Sequence, residues 1–144
     1  MKVRSILRMN GASVATTAPD TTLSTVVWEL KVKGIGALVV SEDGATVLGL
    51  VSERDIVQGL AEHGAALLGM RVSQVMTRPV VTCAPEDSIT RVMAQMTHHR
   101  ARHLPVMEGG RLAGIVSVGD VVKHRLEELE MEANILREAL IVSH

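Results

Sequence analysis

Apolar residues follow two rhythms along this chain, and the same succession of rhythms occurs twice. Leu23, Val26, Val27 and Leu30 keep the i, i+3, i+4, i+7 spacing of a helix with one buried stripe, and Ile89, Val92, Met93 and Met96 keep it again. Asp20 and Thr22 precede the first stripe, and Asp87 and Ser88 the second, as candidate N-caps. Ahead of each lies a short β-type pair, Val14-Ala15-Thr16 and Val80-Val81-Thr82, followed by a break containing proline. After each helix come two runs of strand length. In the first copy these are Ala37-Leu38-Val39-Val40 and Val47-Leu48-Gly49-Leu50-Val51; in the second, Leu104-Pro105-Val106-Met107 and Leu112-Ala113-Gly114-Ile115-Val116. The tips between them, Glu42-Asp43-Gly44 and Glu108-Gly109-Gly110, carry hairpin turn chemistry. A second helix opens directly after Ser52 and after Ser117. The pattern predicts β-α-β-β-α, twice, each copy led by a short amphipathic turn.

The duplication is legible residue by residue. Gly49-Leu50-Val51-Ser52-Glu53-Arg54-Asp55-Ile56 returns as Gly114-Ile115-Val116-Ser117-Val118-Gly119-Asp120-Val121, and Thr16-Thr17-Ala18-Pro19-Asp20 returns as Thr82-Cys83-Ala84-Pro85-Glu86. The copies also begin alike, with Val3-Arg4-Ser5-Ile6-Leu7 against Val72-Ser73-Gln74-Val75-Met76. The chain therefore divides into residues 1–65, residues 66–125 and a C-terminal helical extension over 126–144. Neither copy is large enough to bury its sheet alone, so the two are expected to share a core. From Asp120 to about Leu140 a helical pattern continues without interruption. Val121, Val122, Leu126, Leu129, Ile135, Leu136 and Leu140 supply its apolar positions, and a run of glutamates its polar ones. This helix either reaches a partner subunit or folds back on its own module.

Composition narrows the function classes. The chain has 144 residues and a formal net charge of -1, without the basic excess of a nucleic-acid binder. It has no apolar run long enough for a membrane span, and its first residues lack a secretory signal pattern. The single Cys83 cannot close an internal disulfide and fits the reducing cytoplasm. With one Trp28 and no Phe or Tyr, the core must be aliphatic and Met-filled.

The repeated Ser-x-x-Asp carries the chemistry. At a strand-to-helix junction the first helical N–H groups lack intrahelical partners, and the positive end of the helix dipole lies beside them. A phosphate fits there, and a carboxylate one turn on accepts from a pair of ribose hydroxyls. Ser52 with Asp55, and Ser117 with Asp120, would then hold the two polar parts of a nucleotide. The structural alternative is a variant capping box, in which Ser and Asp serve only the helix. His98-His99-x-x-x-His103 has a spacing that suggests metal ligation, but arginines stand among the histidines and no carboxylate or Cys joins them, so no metal is expected.

These motifs, with Arg102-His103-Leu104-Pro105-Val106, resemble a tandem pair of CBS domains, a Bateman module, over about Val3 to Val122. The resemblance implies an α/β (α+β) fold of two β-α-β-β-α repeats related by pseudo-two-fold symmetry, plus the C-terminal helix. It also implies two clefts that take adenosine-containing ligands: AMP, ADP, ATP, NAD or S-adenosylmethionine. Carried over by position, Asp55 and Asp120 would meet ribose, Ser52 and Ser117 phosphate, and Arg102 and His103 phosphate. Main chain around Thr16 to Ala18 and Thr82 to Ala84 would border adenine. With no Tyr or Phe, the base would lie between aliphatic side chains drawn from Ile35, Leu38, Val39, Val51, Val116 and Pro105. The copies differ where Gly36 and Ala37 replace Arg102 and His103, and where Arg54 faces Gly119, so the two sites are expected to be unequal. The expected function is a non-enzymatic sensor, a homodimer that signals to a separate effector protein without nucleic acid or membrane. A nucleotide-processing enzyme and a ligand-free dimerisation scaffold are the alternatives.

Overall fold

A computed structural model describes residues 1–11 and 14–142 of the chain. Helix α1 spans Val3–Asn10 and is followed by strand β1, Thr16–Thr17, and helix α2, Leu23–Lys33. Strands β2, Ala37–Val40, and β3, Gly49–Ser52, form an antiparallel hairpin, and β1 pairs in parallel with β2. Helix α3 spans Glu53–His63, and two 3-10 turns at Gly64–Gly69 and Val72–Gln74 lead to the second copy. There α4, Ile89–His99, precedes the hairpin of β4, His103–Glu108, and β5, Arg111–Ser117, and α5 closes the described chain at Val118–Val142.

Most expected elements are present, with shifted edges. In the first copy strand pairing begins at Thr16 rather than Val14, because Val39 N–H donates to the carbonyl of Ala15 and Ser41 N–H to that of Thr17. In the second copy only Cys83 pairs, its N–H donating to Pro105 O at 3.0 Å and its carbonyl accepting from Met107 at 2.8 Å. Val47 and Leu48 stay in the hairpin loop and do not extend β3. That loop is organised by Asp43, whose carboxylate accepts from the backbone of Ala45 and Thr46 and from the Ser41 and Thr46 hydroxyls, which holds its pKa well below the usual range. Leu23, Val26 and Leu30 are buried as the spacing required, while Val27 points outward and Trp28 is largely exposed. Of the proposed caps, Ser88 accepts from Arg91 N–H; Thr22 occupies the N-cap position of α2 without a side-chain capping bond. Helix α2 ends at Gly34 with φ 64°, a left-handed C-cap that glycine adopts without strain.

The openings of the two copies are exchanged. Val3 and Ile6 of α1 are fully buried with Ile89, Val92, Leu104, Val106, Val116 and Val121, which is the core of the second copy. Val72 is buried with Leu23, Val26, Leu38 and Val51, the core of the first. The same backbone bonds make both attachments. Val3 N–H donates to Asp87 O and Arg4 N–H to Pro85 O; Val72 N–H donates to Thr21 O and Ser73 N–H to Pro19 O. A third cluster lies between the units and draws on both: Ala37, Val39 and Leu50 with Val14, Val80, Leu112 and Ile115 packed against them. This is the shared core that the small size of each copy demanded.

Candidate functional site

Ser52 sits where β3 hands over to α3. It has extended backbone angles, and its side-chain oxygen accepts from Asp55 N–H at 3.3 Å. Asp55 Oδ2 in turn accepts from Ser52 N–H at 2.9 Å and from the Ser52 hydroxyl at 3.0 Å. The capping reading is therefore realised in full. Ser117 and Asp120 repeat it at the β5–α5 junction, with both backbone bonds at 3.1 Å. The pairs differ in what else they hold. Thr77 Oγ1 donates to Asp55 Oδ1 at 2.8 Å, and Asp55 is 8% exposed. Asn10 Nδ2 donates weakly to Asp120 Oδ2 at 3.3 Å, which leaves Oδ1 of Asp120 unengaged among the described residues. Asp120 is half-buried.

Each pair opens into a cleft walled by the other copy. The Asp55 cleft, about 610 Å³, gathers Ser52, Arg54 and Asp55 from one copy with Val80, Val81, Arg100, Arg102 and His103 from the other, and includes Leu50, Thr77 and Pro79. The Asp120 cleft, about 690 Å³, gathers Ser117, Asp120 and Ile115 with Val14, Ala15, Lys33, Ile35, Gly36 and Ala37, and its rim carries Leu7 and Asn10. Both volumes suit a drug-sized or nucleotide-sized molecule.

The structure redistributes the cations anticipated from the sequence. Arg54 and Arg102, which the sequence placed as opposing differences between the copies, converge on the Asp55 cleft and are joined there by Arg100. Arg54 Nη1 donates to the carbonyl of Arg100 at 2.9 Å, and none of the three guanidinium groups has a carboxylate partner among the described residues. Glu53 also lines this cleft. The Asp120 cleft has Lys33, which lies 3.7 Å from Glu29. His103 borders both clefts. Burial lowers its pKa, against a pull upward from Glu53 and Asp120, and Arg102 adds to the lowering. Its ring is close to Gly36, where an added Cβ would lie 3.2 Å from Cε1 and Nε2.

Ser52, Arg54, Asp55, Gly36, Arg102 and His103 meet in one cleft, and Ser117, Asp120, Ile35, Gly36, Ala37 and His103 in the other. Nine expected positions line neither. Thr16 and Ala18, and Thr82 and Ala84, lie past the point where the chain borders a cleft; Val14, Ala15, Val80 and Val81 take that place instead. Thr82 borders a separate open groove with Thr46, Arg78 and Met107. Val39 and Pro105 are buried at matching positions of β2 and β4, further along the strands than Ala37 and His103. Leu38, Val51 and Val116, expected against the base, are fully buried inside the cores of their own units. Sequence reasoning missed Thr77, Arg100 and Asn10. The first two lie outside both repeated motifs, and only the exchange of openings carries Thr77 to Asp55. Among the described residues, no three His, Cys, Asp or Glu side chains are placed to hold a metal ion.

Comparison with known proteins bears on the same elements. The CBS domain profile matches residues 3–62 and 72–127. The crystal structure of a CBS-domain containing protein, ATU1752 from Agrobacterium tumefaciens, superposes with a TM-score of 0.83 at 43% identity, covering 87% of this chain and 99% of that one. The mitochondrial CBS domain-containing protein CBSX3 of Arabidopsis thaliana is 33% identical over 113 residues, 76% of this chain and 55% of the relative, so the chain spans about half the length of that protein. The CBS domain pair of protein MJ0100, solved in complex with 5′-methylthioadenosine and S-adenosyl-L-methionine, has the same fold, with a TM-score of 0.78 at 20% identity over 89% of this chain and 98% of that one. Two matched repeats, exchanged openings and paired inter-repeat clefts lead to one conclusion: the chain belongs to the CBS domain family and forms a CBS domain pair.

Proposed function

We propose that this CBS pair is a non-catalytic sensor that takes a phosphorylated adenosine compound in the Asp55 cleft. The observation that carries the reading is the convergence of Arg54, Arg100 and Arg102, without carboxylate partners among the described residues, on the cleft that also holds a Ser–Asp helix cap. Guanidinium groups stay charged at any working pH and match phosphate oxygens in bidentate geometry. Val80, Val81, Pro79 and Leu50 give the base an aliphatic slot. AMP, ADP, ATP and NAD share this chemistry. The Asp120 cleft, with its single lysine near Glu29, suits a less charged adenosine compound, and the complex of MJ0100 with 5′-methylthioadenosine and S-adenosyl-L-methionine is a precedent for that class in this fold.

The non-catalytic part of the proposal is supported by how the Asp55 carboxylate is used. Asp55 already accepts from Ser52 twice and from Thr77 once, which leaves little of it free to act as a general base on a ligand. Oδ1 of Asp120 stays open among the described residues, and the enzyme reading is left to the assay for product below. Binding would act by favouring one relative setting of the two copies, since each cleft is built from both, and a homodimer in a reducing compartment such as the cytoplasm would pass that change to an effector protein.

Thermal unfolding of the full chain with adenosine, AMP, ADP, ATP, NAD and S-adenosylmethionine tests the reading. Phosphorylated compounds should raise Tm, the shift growing with the logarithm of ligand concentration above Kd as mass action requires. Arg102→Ala should remove most of the AMP shift and leave the unliganded Tm unchanged, because Arg102 is exposed. No shift with any compound would leave the ligand-free scaffold, and product formed from ATP would favour the enzyme.

A further inference from the structure

The last turns of α5 carry an apolar row that its own subunit does not cover. Val122, Leu126, Leu129, Ala133 and Leu136 follow one another at alternating spacings of four and three residues, the a/d seam of a two-stranded coiled coil. All five are exposed; Leu126 is 56% and Leu136 65% accessible. The helix is anchored elsewhere on its circumference, where Val121 and His124 are buried against the second copy. Val122, at the head of the row, borders a groove of its own subunit with Met93 and Met96, and from Leu126 onward the row is uncovered. Met131 and Ile135 belong to a different row, the one headed by Val121 and His124.

The charges flanking the seam select the occupant. With Leu126 at an a position, Arg125 and Glu132 fall at g, and Glu130 and Arg137 at e. In a parallel pair, each g residue faces the e residue five positions on in its partner. Arg125 then meets the partner's Glu130, and Glu132 meets the partner's Arg137; both pairings join opposite charges. Glu132 and Arg137 make no ion pair within their own subunit among the described residues, whereas Arg125 is already engaged by Glu128. We infer that α5 zips in parallel with α5 of a second copy of this chain through Leu126, Leu129, Ala133 and Leu136. The inference rests only on the homodimer clause of the proposed function and does not depend on ligand.

Sedimentation of the full chain should give twice its 15.5 kDa mass. Leu129→Asp with Leu136→Asp should give the monomer mass while the chain stays folded, with a cooperative unfolding transition whose Tm no longer depends on protein concentration, since both side chains are outside the cores. Glu132→Arg should weaken the dimer at least several-fold, and Glu132→Arg with Arg137→Glu should restore it. Leu126→Cys in a Cys83→Ser background should cross-link to itself under mild oxidation, because a parallel pair brings the two positions together. A monomeric wild-type chain, a dimer untouched by the double aspartate variant, or a dimer in which Leu126→Cys does not cross-link would each overturn the inference. A dimer whose Tm no adenosine compound moves would refute the sensing function and leave the pairing intact.

Discussion

At the scale of single residues, the two Ser–Asp pairs are equal in sequence and unequal in structure. Asp55 accepts from Ser52 twice and from Thr77 once, nearly out of solvent; Asp120 is half-buried and accepts from Ser117 and, at longer range, Asn10. Removing an acceptor strands the buried donors that used it. Asp55→Ala is expected to cost about 2 kcal/mol of stability and Asp120→Ala about 1 kcal/mol, read from urea unfolding midpoints. Loss of ligand binding in Asp55→Ala must therefore be judged on protein shown to be folded at the assay temperature. His103 gives a pH signature. Burial holds the folded side chain below the ordinary histidine value, so the unfolded chain takes up a proton first as pH falls. Its contribution is fully present above about pH 6.5 and is lost as pH drops through the lowered folded value. His103→Gln should flatten the stability–pH curve below about pH 6.5. Glu86, held down to about 2 by Lys2 and Arg4, titrates far below the ordinary histidine value. An unchanged slope in the variant would remove His103 from the account.

Among the elements, the exchanged openings explain the repeated glycine, which sequence alone did not. An added Cβ on Gly49 would lie 2.5 Å from Met76 Sδ and 3.2 Å from the carbonyl of Thr77; one on Gly114 would collide with Leu7 Cδ2. Leu7 and Met76 hold matching places in the two openings, so each glycine is the space into which the exchanged segment settles. Gly49→Ala is expected to destabilise the chain by about 1–3 kcal/mol through overpacking, because the Thr77 carbonyl is fixed by its ladder bonds to Leu50. Equilibrium unfolding that matches wild type would contradict this close approach. Periodicity revealed the helices and hairpins because buried stripes and strand runs are local signals. It could not reveal that Val3 and Ile6 belong to the far copy's core, since that attachment rests on backbone bonds to Pro85 and Asp87 and on packing across the chain. The same limit displaced the base-bordering residues from Thr16 and Thr82 to Val14–Ala15 and Val80–Val81. Only the position at which strand pairing starts decides which residue meets the cleft.

For the whole molecule, the central consequence is that neither cleft belongs to one copy. The Ser-x-x-Asp motif of each copy and the apolar edge of the other form a single pocket, so a ligand that bridges them stabilises their relative setting. The motif residues were legible because they repeat; the clustering of Arg54, Arg100 and Arg102 was not, because it needs the pseudo-two-fold arrangement. Charge-assisted hydrogen bonds from arginine to phosphate contribute about 1.5–3 kcal/mol each, so losing one guanidinium should weaken a phosphorylated ligand by about 10- to 100-fold. Calorimetric titration of AMP and adenosine into the wild-type chain and into Arg102→Ala is the most direct measurement. The expected result is AMP affinity that falls at least tenfold in the variant while adenosine affinity stays level. Binding of AMP that is indifferent to Arg102, or no heat from AMP at any concentration, would contradict a phosphate-reading cleft at Asp55.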